Sequence, residues 1–283
     1  MSHSLKKLTH MWSFVESPTP IQITLNRLRF SLINITPPPW SRVIESASPK
    51  DRWVVYFSYL PESTLSKQHI YTLQRLREQS LPVLLVCATP EPAISEQLKK
   101  YSDALILKGL SGYDFSAYSL ALRHLAERSP GSDVLIMNDS VYGPFTDLNH
   151  AMKAAPWDLT GFTSSQFVEN HIQSYSFILK NINTHLLRLL GTPFKRFTCF
   201  NDFWTVVLTQ ETRFARIASK SMTVGAFWHG SSNDGIDPSL HHALELVDNG
   251  FPFIKRSLLG KHRGKQSVEA VKDVLRRQQH PVG

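Results

Sequence analysis

Three small polar residues follow directly on an apolar run near the middle of the sequence. The run at 134–137 has the composition of a buried strand, and Asn138-Asp139-Ser140 comes immediately after it. In an open α/β sheet, ligands bind beyond the carboxyl ends of the strands. An aspartate there can hold a divalent cation that neutralises a diphosphate. The same residues can also form an Asx turn that only caps the next element, and the sequence leaves both interpretations open.

A second candidate at a strand end is Gly112-Tyr113-Asp114-Phe115, which follows the apolar run at 104–107. Glycine allows the backbone to approach a ligand closely, and the Asp114 carboxylate could contact a sugar or a base. Asp114 could equally cap a helix that begins nearby. The two roles are compatible, so this segment stays a candidate for binding.

The second half of the chain supplies histidine and basic candidates. His171, Gln173 and Tyr175 share one face if this segment is extended. Histidine is the natural acid–base group near neutral pH, although a purely structural histidine is the alternative. Lys255 and Arg256 follow an aromatic turn, where they could contact a diphosphate or remain solvated.

The elements that must position these residues alternate between strand and helix patterns, which predicts a mostly parallel sheet with helices on both faces. The fold class is therefore α/β, of the Rossmann type. The apolar segment at 21–35 fits either a strand or a short amphipathic piece. The other expected elements are strands at 53–59, 83–87, 104–107, 134–137 and 174–179, and helices at 66–79, 117–125, 184–190, 238–249 and 267–277.

The composition indicates a globular protein with a basic surface. Hydrophobic residues make up 42% of the chain and charged residues 19%, with a net charge of +8 and a pI near 9.5. This balance favours anionic partners such as nucleotide phosphates or an acidic membrane face. The sequence lacks G-x-G-x-x-G, P-loop and G-x-S-x-G motifs and any nucleic-acid module. A dinucleotide dehydrogenase, a P-loop enzyme, a hydrolase of the G-x-S-x-G type and a nucleic-acid partner are therefore not expected.

Cysteine usage and hydropathy suggest where the protein works. Cys87 and Cys199 form neither a zinc pattern nor a disulfide framework, so a reducing cytoplasm is the simplest fit. No apolar run has the length of a signal peptide core or a membrane span. We expect a cytoplasmic protein, and the basic stretch from Lys261 to Arg277 predicts peripheral contact with anionic lipid on the inner face of the membrane.

Taken together, these segments resemble the rhamnan synthesis protein F family of polysaccharide glycosyltransferases over residues 52–259. The resemblance rests on four motifs in order, of which the second is the longest and most specific. They are Gly112-Tyr113-Asp114-Phe115, Asn138-Asp139-Ser140-Val141-Tyr142-Gly143-Pro144, His171-Ile172-Gln173-Ser174-Tyr175 and Gly250-Phe251-Pro252-Phe253-Ile254-Lys255-Arg256.

The resemblance implies a single GT-A-like domain that moves a deoxysugar, typically L-rhamnose from dTDP-rhamnose, onto a growing glycan or lipid-linked glycan. Enzymes of this class hold Mg²⁺ or Mn²⁺ on the diphosphate with an acidic motif after a central strand, which makes Asp139 the metal candidate. Lys108 and Leu110 stand where the family usually has an arginine and then an asparagine, so the donor contacts there are altered. The donor-binding candidates are Lys108, Gly112, Asp114, Asn138, Ser140, Lys255 and Arg256.

An inverting transfer needs a base for the acceptor hydroxyl, and the candidates are Asp158, Glu211 and His171. The leading hypothesis is a glycosyltransferase that builds a cell-surface polysaccharide, whether an O-antigen, a capsule or a rhamnan. One alternative is a non-catalytic module that binds a glycan or a partner, and another is a nucleotide-sugar hydrolase or nucleotidyltransferase. The expected organisation is an irregular segment at 1–50, the transferase domain at 51–260 and a basic helix or tail at 261–283.

Overall fold

One large mixed sheet organises the chain, with two short two-stranded ribbons beside it. The computed structural model describes residues 7–231 and 237–282. Its strands are β1 (Lys7–Ser13), β2 (Ile35–Thr36), β3 (Ser41–Glu45), β4 (Arg52–Tyr59), β5 (Val83–Ala88), β6 (Ala104–Lys108), β7 (Asp133–Asn138), β8 (Val141–Tyr142), β9 (Leu159–Ser165), β10 (His171–Ile172), β11 (Ser176–Leu179), β12 (Cys199–Phe200), β13 (Val224–Ser231) and β14 (Ile254–Lys255).

Helices cover both faces of this sheet, and a π-helical turn at Val207–Glu211 joins two of them. The α-helices are α1 (Ile21–Ile33), α2 (Lys67–Glu78), α3 (Ser95–Leu98), α4 (Tyr113–Arg128), α5 (Leu148–Ala154), α6 (Thr184–Leu189), α7 (Phe203–Val206), α8 (Thr212–Ala218), α9 (Pro238–His241), α10 (Ala243–Asp248) and α11 (Val268–Arg277). Short 3₁₀ turns occupy Pro92–Ile94, Lys99–Tyr101, Arg256–Leu259 and Arg263–Lys265.

The strand order across the large sheet is β1-β13-β9-β11-β7-β4-β5-β6-β3, with β10 added beside β9. Strands β13, β9, β7, β4, β5 and β6 all run in one direction, whereas β1, β3, β10 and β11 are antiparallel to their neighbours. The predicted fold class is confirmed, because the sheet is mostly parallel and flanked by helices. The carboxyl ends of six strands therefore meet at one edge, which we call the carboxyl edge.

The central strands are apolar throughout because both faces of the sheet are covered. Successive side chains of β4 point to opposite faces, so Val55 joins the core cluster that contains Tyr118 of α4, and Tyr56 joins the cluster that contains Leu73 of α2. Helix α2 starts at a capping box, in which the Ser66 hydroxyl accepts from the backbone N–H of the third helical residue. The four predicted central strands and this helix are confirmed.

The first fifty residues differ from the expected irregular segment. Over the described part, β1 pairs with β13 at one edge of the large sheet and β3 pairs with β6 at the other. The ambiguous segment at 21–35 contains the helix α1, which ends at Ile33. Short-range alternation could not separate helix from strand here, because tertiary contacts with distant segments, such as those of Arg27 with Leu208 and Thr212, hold this region as a helix. Residues 1–6 lie outside the described part of the chain.

The C-terminal region is also more integrated than a tail. Helix α11 buries Val271, Val274 and Leu275 in a cluster with Tyr142 and other apolar side chains, so it packs against the sheet domain. The single helix expected at 238–249 is two short helices, α9 and α10, which meet at His242. Within the described residues, no helix is long and apolar enough to cross a membrane.

Candidate functional site

The residues Asn138, Asp139 and Ser140 lie at the carboxyl edge, where β7 ends. The side-chain oxygen Oδ1 of Asn138 accepts hydrogen bonds from the backbone N–H of Ser140 at 3.1 Å and from its hydroxyl at 2.6 Å. This is the Asx turn that the sequence left open. The other side of the Asn138 amide is also engaged, since Nδ2 donates to Oδ2 of Asp114 at 3.1 Å. The turn and the polar contact across the edge therefore coexist.

Asp139 is held in place by three neighbouring elements. Its Oδ2 accepts from the backbone N–H of Tyr59 at 2.7 Å and lies 3.2 Å from Nε2 of His69. Its backbone carbonyl accepts from Nη1 of Arg256 at 3.0 Å. The side chain is 16% exposed, so the carboxylate is fixed in orientation while part of it still faces the open space beyond the strand ends.

The loop before α4 brings Asp114 to the same edge. Gly112 adopts a φ of +91°, and a side chain there would collide with Ser116, so the tight turn into α4 requires glycine. The backbone N–H of Gly112 donates to Oδ1 of Asn201 at 2.6 Å. Burial, together with the nearby Glu211 carboxylate, raises the pKa of Asp114 from 3.8 to about 6.

Lys108 supports this loop from behind and does not line the open space. The side chain is fully buried, and its Nζ donates to the backbone carbonyls of Gly109 at 2.8 Å and Ser111 at 2.7 Å. Burial lowers the pKa of Lys108 to about 8. The prediction that Lys108 contacts a nucleotide-sugar donor therefore does not fit its position. The hydrogen bonds of its Nζ are made to the loop that carries Asp114.

The ribbon of β8 and β14 places two cations opposite the acidic residues. The Nζ of Lys255 lies 3.8 Å from the centre of the Tyr175 ring. Burial lowers the pKa of Lys255, while Asp237, Glu211 and Asp114 oppose that shift. Nearby, Nη2 of the Arg256 guanidinium donates to Gln68 at 3.2 Å, which fixes the guanidinium beside Asp139.

Glu211 enters the site from the π-helical turn between α7 and α8. Such turns add a residue to a helix and are frequent at functional sites. One carboxylate oxygen, Oε2, accepts from the Ser174 hydroxyl at 2.5 Å, and the other, Oε1, lies 3.8 Å from Nε2 of His171. The Nδ1 of His171 lies 2.8 Å from the backbone carbonyl of Glu169. If that nitrogen carries the proton, Nε2 is left facing the glutamate.

Two of the three candidate bases lie together and the third does not. Glu211 lines the open space and His171 lies behind it, buried. Asp158 precedes the first residue of β9 and accepts from the backbone N–H and hydroxyl of Thr223 at 2.8 and 2.7 Å. Strand β9 runs parallel to β7, and Asp158 comes before β9 whereas Asn138 ends β7. Asp158 therefore lies at the amino ends of the parallel strands, opposite the carboxyl edge. The prediction that Asp158 acts as the base therefore does not fit its position.

These residues surround an open cavity of about 500 Å³, which we call the cleft. Its charged lining residues include both cations and carboxylates. They are Asp114, Asp139, Glu211, Asp237, Lys255, Arg256 and Lys261. A second cavity of about 500 Å³ shares Asp114 and Asn138 with the cleft. Tyr59 and Tyr113 line this second cavity, and both rings are more than 40% exposed.

The cleft offers few side-chain ligands for a divalent cation. No cluster of three His, Cys, Asp or Glu side chains suited to a metal occurs in the described ranges. Mg²⁺, however, is commonly held by one or two carboxylates together with substrate phosphates. Asp139 is compatible with that second arrangement, in which it would contribute one ligand and the phosphates of a bound molecule would contribute the others.

Several residues of the site carry little or no signal of a binding role in the sequence. His69 lies on α2, some 70 positions from Asp139, and reaches it only because β4 and β7 are adjacent in the sheet. Asp237 reads as a helix cap and does cap α9, yet it also lines the cleft. The only available hint for Tyr59 was its position at the end of a predicted strand.

The fold and the cleft define an α/β protein with an open cavity of mixed charge at the carboxyl edge of its sheet. The profile of the family described as rhamnan synthesis protein F matches residues 83–282. The virulence protein VirA of Vibrio anguillarum is 30% identical over 247 aligned residues, covering 74% of this chain and 80% of that protein. The chain belongs to the rhamnan synthesis protein F family, and this membership supports a nucleotide-sugar glycosyltransferase.

Solved structures with a similar arrangement are distant. The mannosyltransferase PcManGT from Pyrobaculum calidifontis, in complex with GDP-Man and Mn²⁺, is 14% identical with a TM-score of 0.41, covering 91% of this chain and 76% of that one. S. aureus TarS is 14% identical with a TM-score of 0.38, covering 75% and 40%. HddC from Yersinia pseudotuberculosis is 12% identical with a TM-score of 0.40, covering 67% and 94%.

Proposed function

We propose that the protein is an inverting glycosyltransferase that moves a deoxysugar, L-rhamnose from dTDP-rhamnose, onto a growing cell-surface polysaccharide such as an O-antigen, a capsule or a rhamnan. The observation that carries the proposal is the position of Glu211 in the cleft. The Glu211 carboxylate is partly exposed and lines the same cavity as Lys255 and Arg256. The chain belongs to a family of polysaccharide-synthesis proteins. This arrangement provides a base and a diphosphate site within one cavity.

The two cavities suit the two ends of a nucleotide sugar. The exposed rings of Tyr59 and Tyr113 can stack on the nucleotide base in the second cavity. The diphosphate would then pass Asn138 and enter the cleft, where Lys255 and Arg256 supply positive charge. A divalent cation bound through Asp139 would place further positive charge beside the leaving diphosphate and neutralise it. The sugar would lie on the Glu211 side of the cleft.

The transfer step follows from that placement. The acceptor hydroxyl oxygen attacks the anomeric carbon, the bond from that carbon to the diphosphate oxygen breaks, and the hydroxyl proton passes to the Glu211 carboxylate. The nucleoside diphosphate leaves with the bonding electron pair. Ser174, at 2.5 Å, and His171, at 3.8 Å, orient the glutamate, and Lys255 stabilises the charge that develops on the diphosphate.

A thermal-shift panel tests the donor. We expect dTDP-rhamnose to raise the melting temperature of the full chain more than UDP-glucose or GDP-mannose, because ligand binding stabilises the folded state by mass action. Each donor is measured with Mn²⁺ and with EDTA, which also tests the metal proposed at Asp139. A lack of response to every nucleotide sugar under both conditions would contradict the proposal.

A non-catalytic module that binds a glycan or a partner is the second candidate, and Leu110 favours it. Leu110 lines the second cavity, where its aliphatic side chain offers no hydrogen bond to a donor. Stabilisation by a rhamnose-containing oligosaccharide, with no response to nucleotide sugars, would support this reading. Product analysis without acceptor tests the remaining alternative, a nucleotide-sugar hydrolase or nucleotidyltransferase. A hydrolase would release free sugar as fast as a transferase moves sugar when its acceptor is present.

A further inference from the structure

Helix α1 presents an uncovered apolar face. Ile21, Leu25, Leu28 and Leu32 follow the spacing of one helix face, and each is between 56% and 77% exposed. Isolated exposed leucines are ordinary on a protein surface, but a continuous apolar patch of this kind marks a site of contact with another molecule. The stripe formed by these four side chains is called the α1 stripe below.

The opposite face of α1 is locked to the body of the protein. Arg27 is 8% exposed and forms an ion pair with Glu169, which is buried. The Nε of Arg27 donates to the backbone carbonyl of Leu208 at 2.7 Å, and Nη2 donates to the hydroxyl of Thr212 at 2.9 Å. Turning the helix to bury its leucines would break this buried pair, so the outward orientation of the stripe is built into the fold.

A basic pocket of about 660 Å³ lies beneath the stripe, and we call it the α1 pocket. Leu25 and Leu28 form part of its wall, together with Lys195, Arg213 and Arg216, and no carboxylate lines it among the described residues.

The cations of the α1 pocket are not equally neutralised. Arg216 is paired with Glu16 and Glu169, yet its Nε is buried with no hydrogen-bond partner. Lys195 and Arg213 make no ion pair within the described part of the chain. Lys195 and Arg213 line the same pocket, and the pKa of Lys195 is lowered by burial and then by the charge of Arg213. Two cations that lack ion-pair partners and line one pocket attract an anionic ligand.

We propose that α1 docks the protein on a membrane of anionic phospholipid, with the α1 stripe in the headgroup–acyl boundary and lipid phosphate bound by Lys195 and Arg213. Leucines that enter the acyl region and cations at phosphate depth are what an interfacial helix presents to a bilayer. An apolar protein partner would account for the stripe but would leave the two cations without a counter-charge. The bilayer accounts for both features.

This surface differs from the basic C-terminal stretch that the sequence suggested. On α11, Lys272 pairs with Glu269 at 3.0 Å and Arg276 pairs with Asp273 at 2.5 Å. These cations already have carboxylate partners on their own helix. They therefore provide a control of the same charge and composition, one lysine and one arginine, for the pair in the α1 pocket.

Liposome flotation of the full chain tests the proposal. We expect recovery with phosphatidylcholine vesicles only when they contain phosphatidylglycerol. The double variant Lys195→Gln/Arg213→Gln should lower the partition onto these vesicles by about 30-fold, since each basic residue near an anionic surface contributes about a factor of five. The matched variant Lys272→Gln/Arg276→Gln should change partition less than about 2-fold, and Leu25→Ser/Leu28→Ser should lower it on the same vesicles.

Three results would overturn the proposal. These are equal recovery of the native chain with neutral and anionic vesicles, equal losses from the two glutamine variants, or concentration-dependent dimerisation that Leu25→Ser/Leu28→Ser abolishes in the absence of vesicle binding. Thermal melts confirm that each variant is folded. Flotation requires no catalysis, so Glu211→Gln should float like the native chain, and failure here is distinguishable from failure of the transferase proposal.

Discussion

The cleft and the α1 pocket both collect basic residues, but they differ in what faces those residues. In the cleft, Lys255 is surrounded by Asp237, Glu211 and Asp114. In the α1 pocket, Lys195 and Arg213 line one cavity, with no carboxylate in the lining among described residues. A site with both signs offers cations for an anion and carboxylates that can accept a proton, whereas the described lining of the α1 pocket offers no carboxylate for that role. This difference is why we propose chemistry in the cleft and docking at the α1 pocket.

The two regions are physically connected through Glu169. This residue pairs with Arg27 of α1, and its backbone carbonyl lies 2.8 Å from Nδ1 of His171. His171 in turn lies beside Glu211. Arg27 also donates to the carbonyl of Leu208, inside the π-helical turn that ends at Glu211. The helix that carries the apolar stripe thus supports the segment that carries the proposed base.

The largest expected effect comes from Glu211→Gln. The amide cannot accept the hydroxyl proton, and general-base catalysis is worth about 10²- to 10⁴-fold, so sugar transfer should fall by that factor. The stabilisation of the protein by its donor in a thermal-shift assay should persist, since the diphosphate contacts are unchanged.

Two comparisons make this test specific to the cleft. Asp158→Asn changes the candidate base at the far edge of the sheet, and it should transfer at close to the native rate. Glu127→Gln removes an exposed carboxylate on α4 and controls for the change in net charge. Equal losses from Glu211→Gln and Asp158→Asn would contradict the assignment of the base.

The next largest effect is expected from Glu169→Gln, which breaks the connection between the two regions. The substitution leaves the buried Arg27 without its counter-charge, and removing one partner of a buried pair costs about 3–5 kcal/mol. The free energy of unfolding, measured by urea denaturation, should fall by that amount.

The neighbouring ion pair provides the matched control. Glu16 also pairs with Arg216 but is 59% exposed, so Glu16→Gln should cost less than about 1 kcal/mol. If the two variants lose equal stability, α1 is not anchored by its buried pair, and the fixed outward orientation of the α1 stripe would have to be abandoned.

The sequence predicts the central strands of the sheet, but it does not predict the contacts between segments that are distant along the chain. The strands from β4 to β7 are apolar over their whole length because both faces are covered, and local pattern sufficed to find them and the polar residues at their ends. Glu211 was found as a candidate only through the family resemblance, since a π-helical turn has no simple periodicity. The ion pair of Arg27 with Glu169 spans 142 positions, and neither residue reads as buried in its own segment.

The smallest effect concerns the pH dependence of the cleft. The pKa of Asp114 is raised from 3.8 to about 6, first by burial and then by Glu211. A carboxyl whose pKa is higher in the folded state disfavours folding once it ionises. This destabilisation is absent below about pH 4, grows as the pH rises, and is complete above about pH 6. Asp114→Asn should remove it, so the native chain should lose roughly 1–2 kcal/mol relative to this variant between pH 4 and 6.

Urea denaturation of both proteins across this pH range measures the difference, with Glu127→Gln as the control on the same helix. The α1 pocket contains no carboxylate among its described lining residues, so Lys195→Gln/Arg213→Gln should keep the native pH profile. A parallel course for native and Asp114→Asn proteins would show that Asp114 ionises as it does in an unfolded chain. Burial and the neighbouring Glu211 would then not perturb this carboxyl in the cleft.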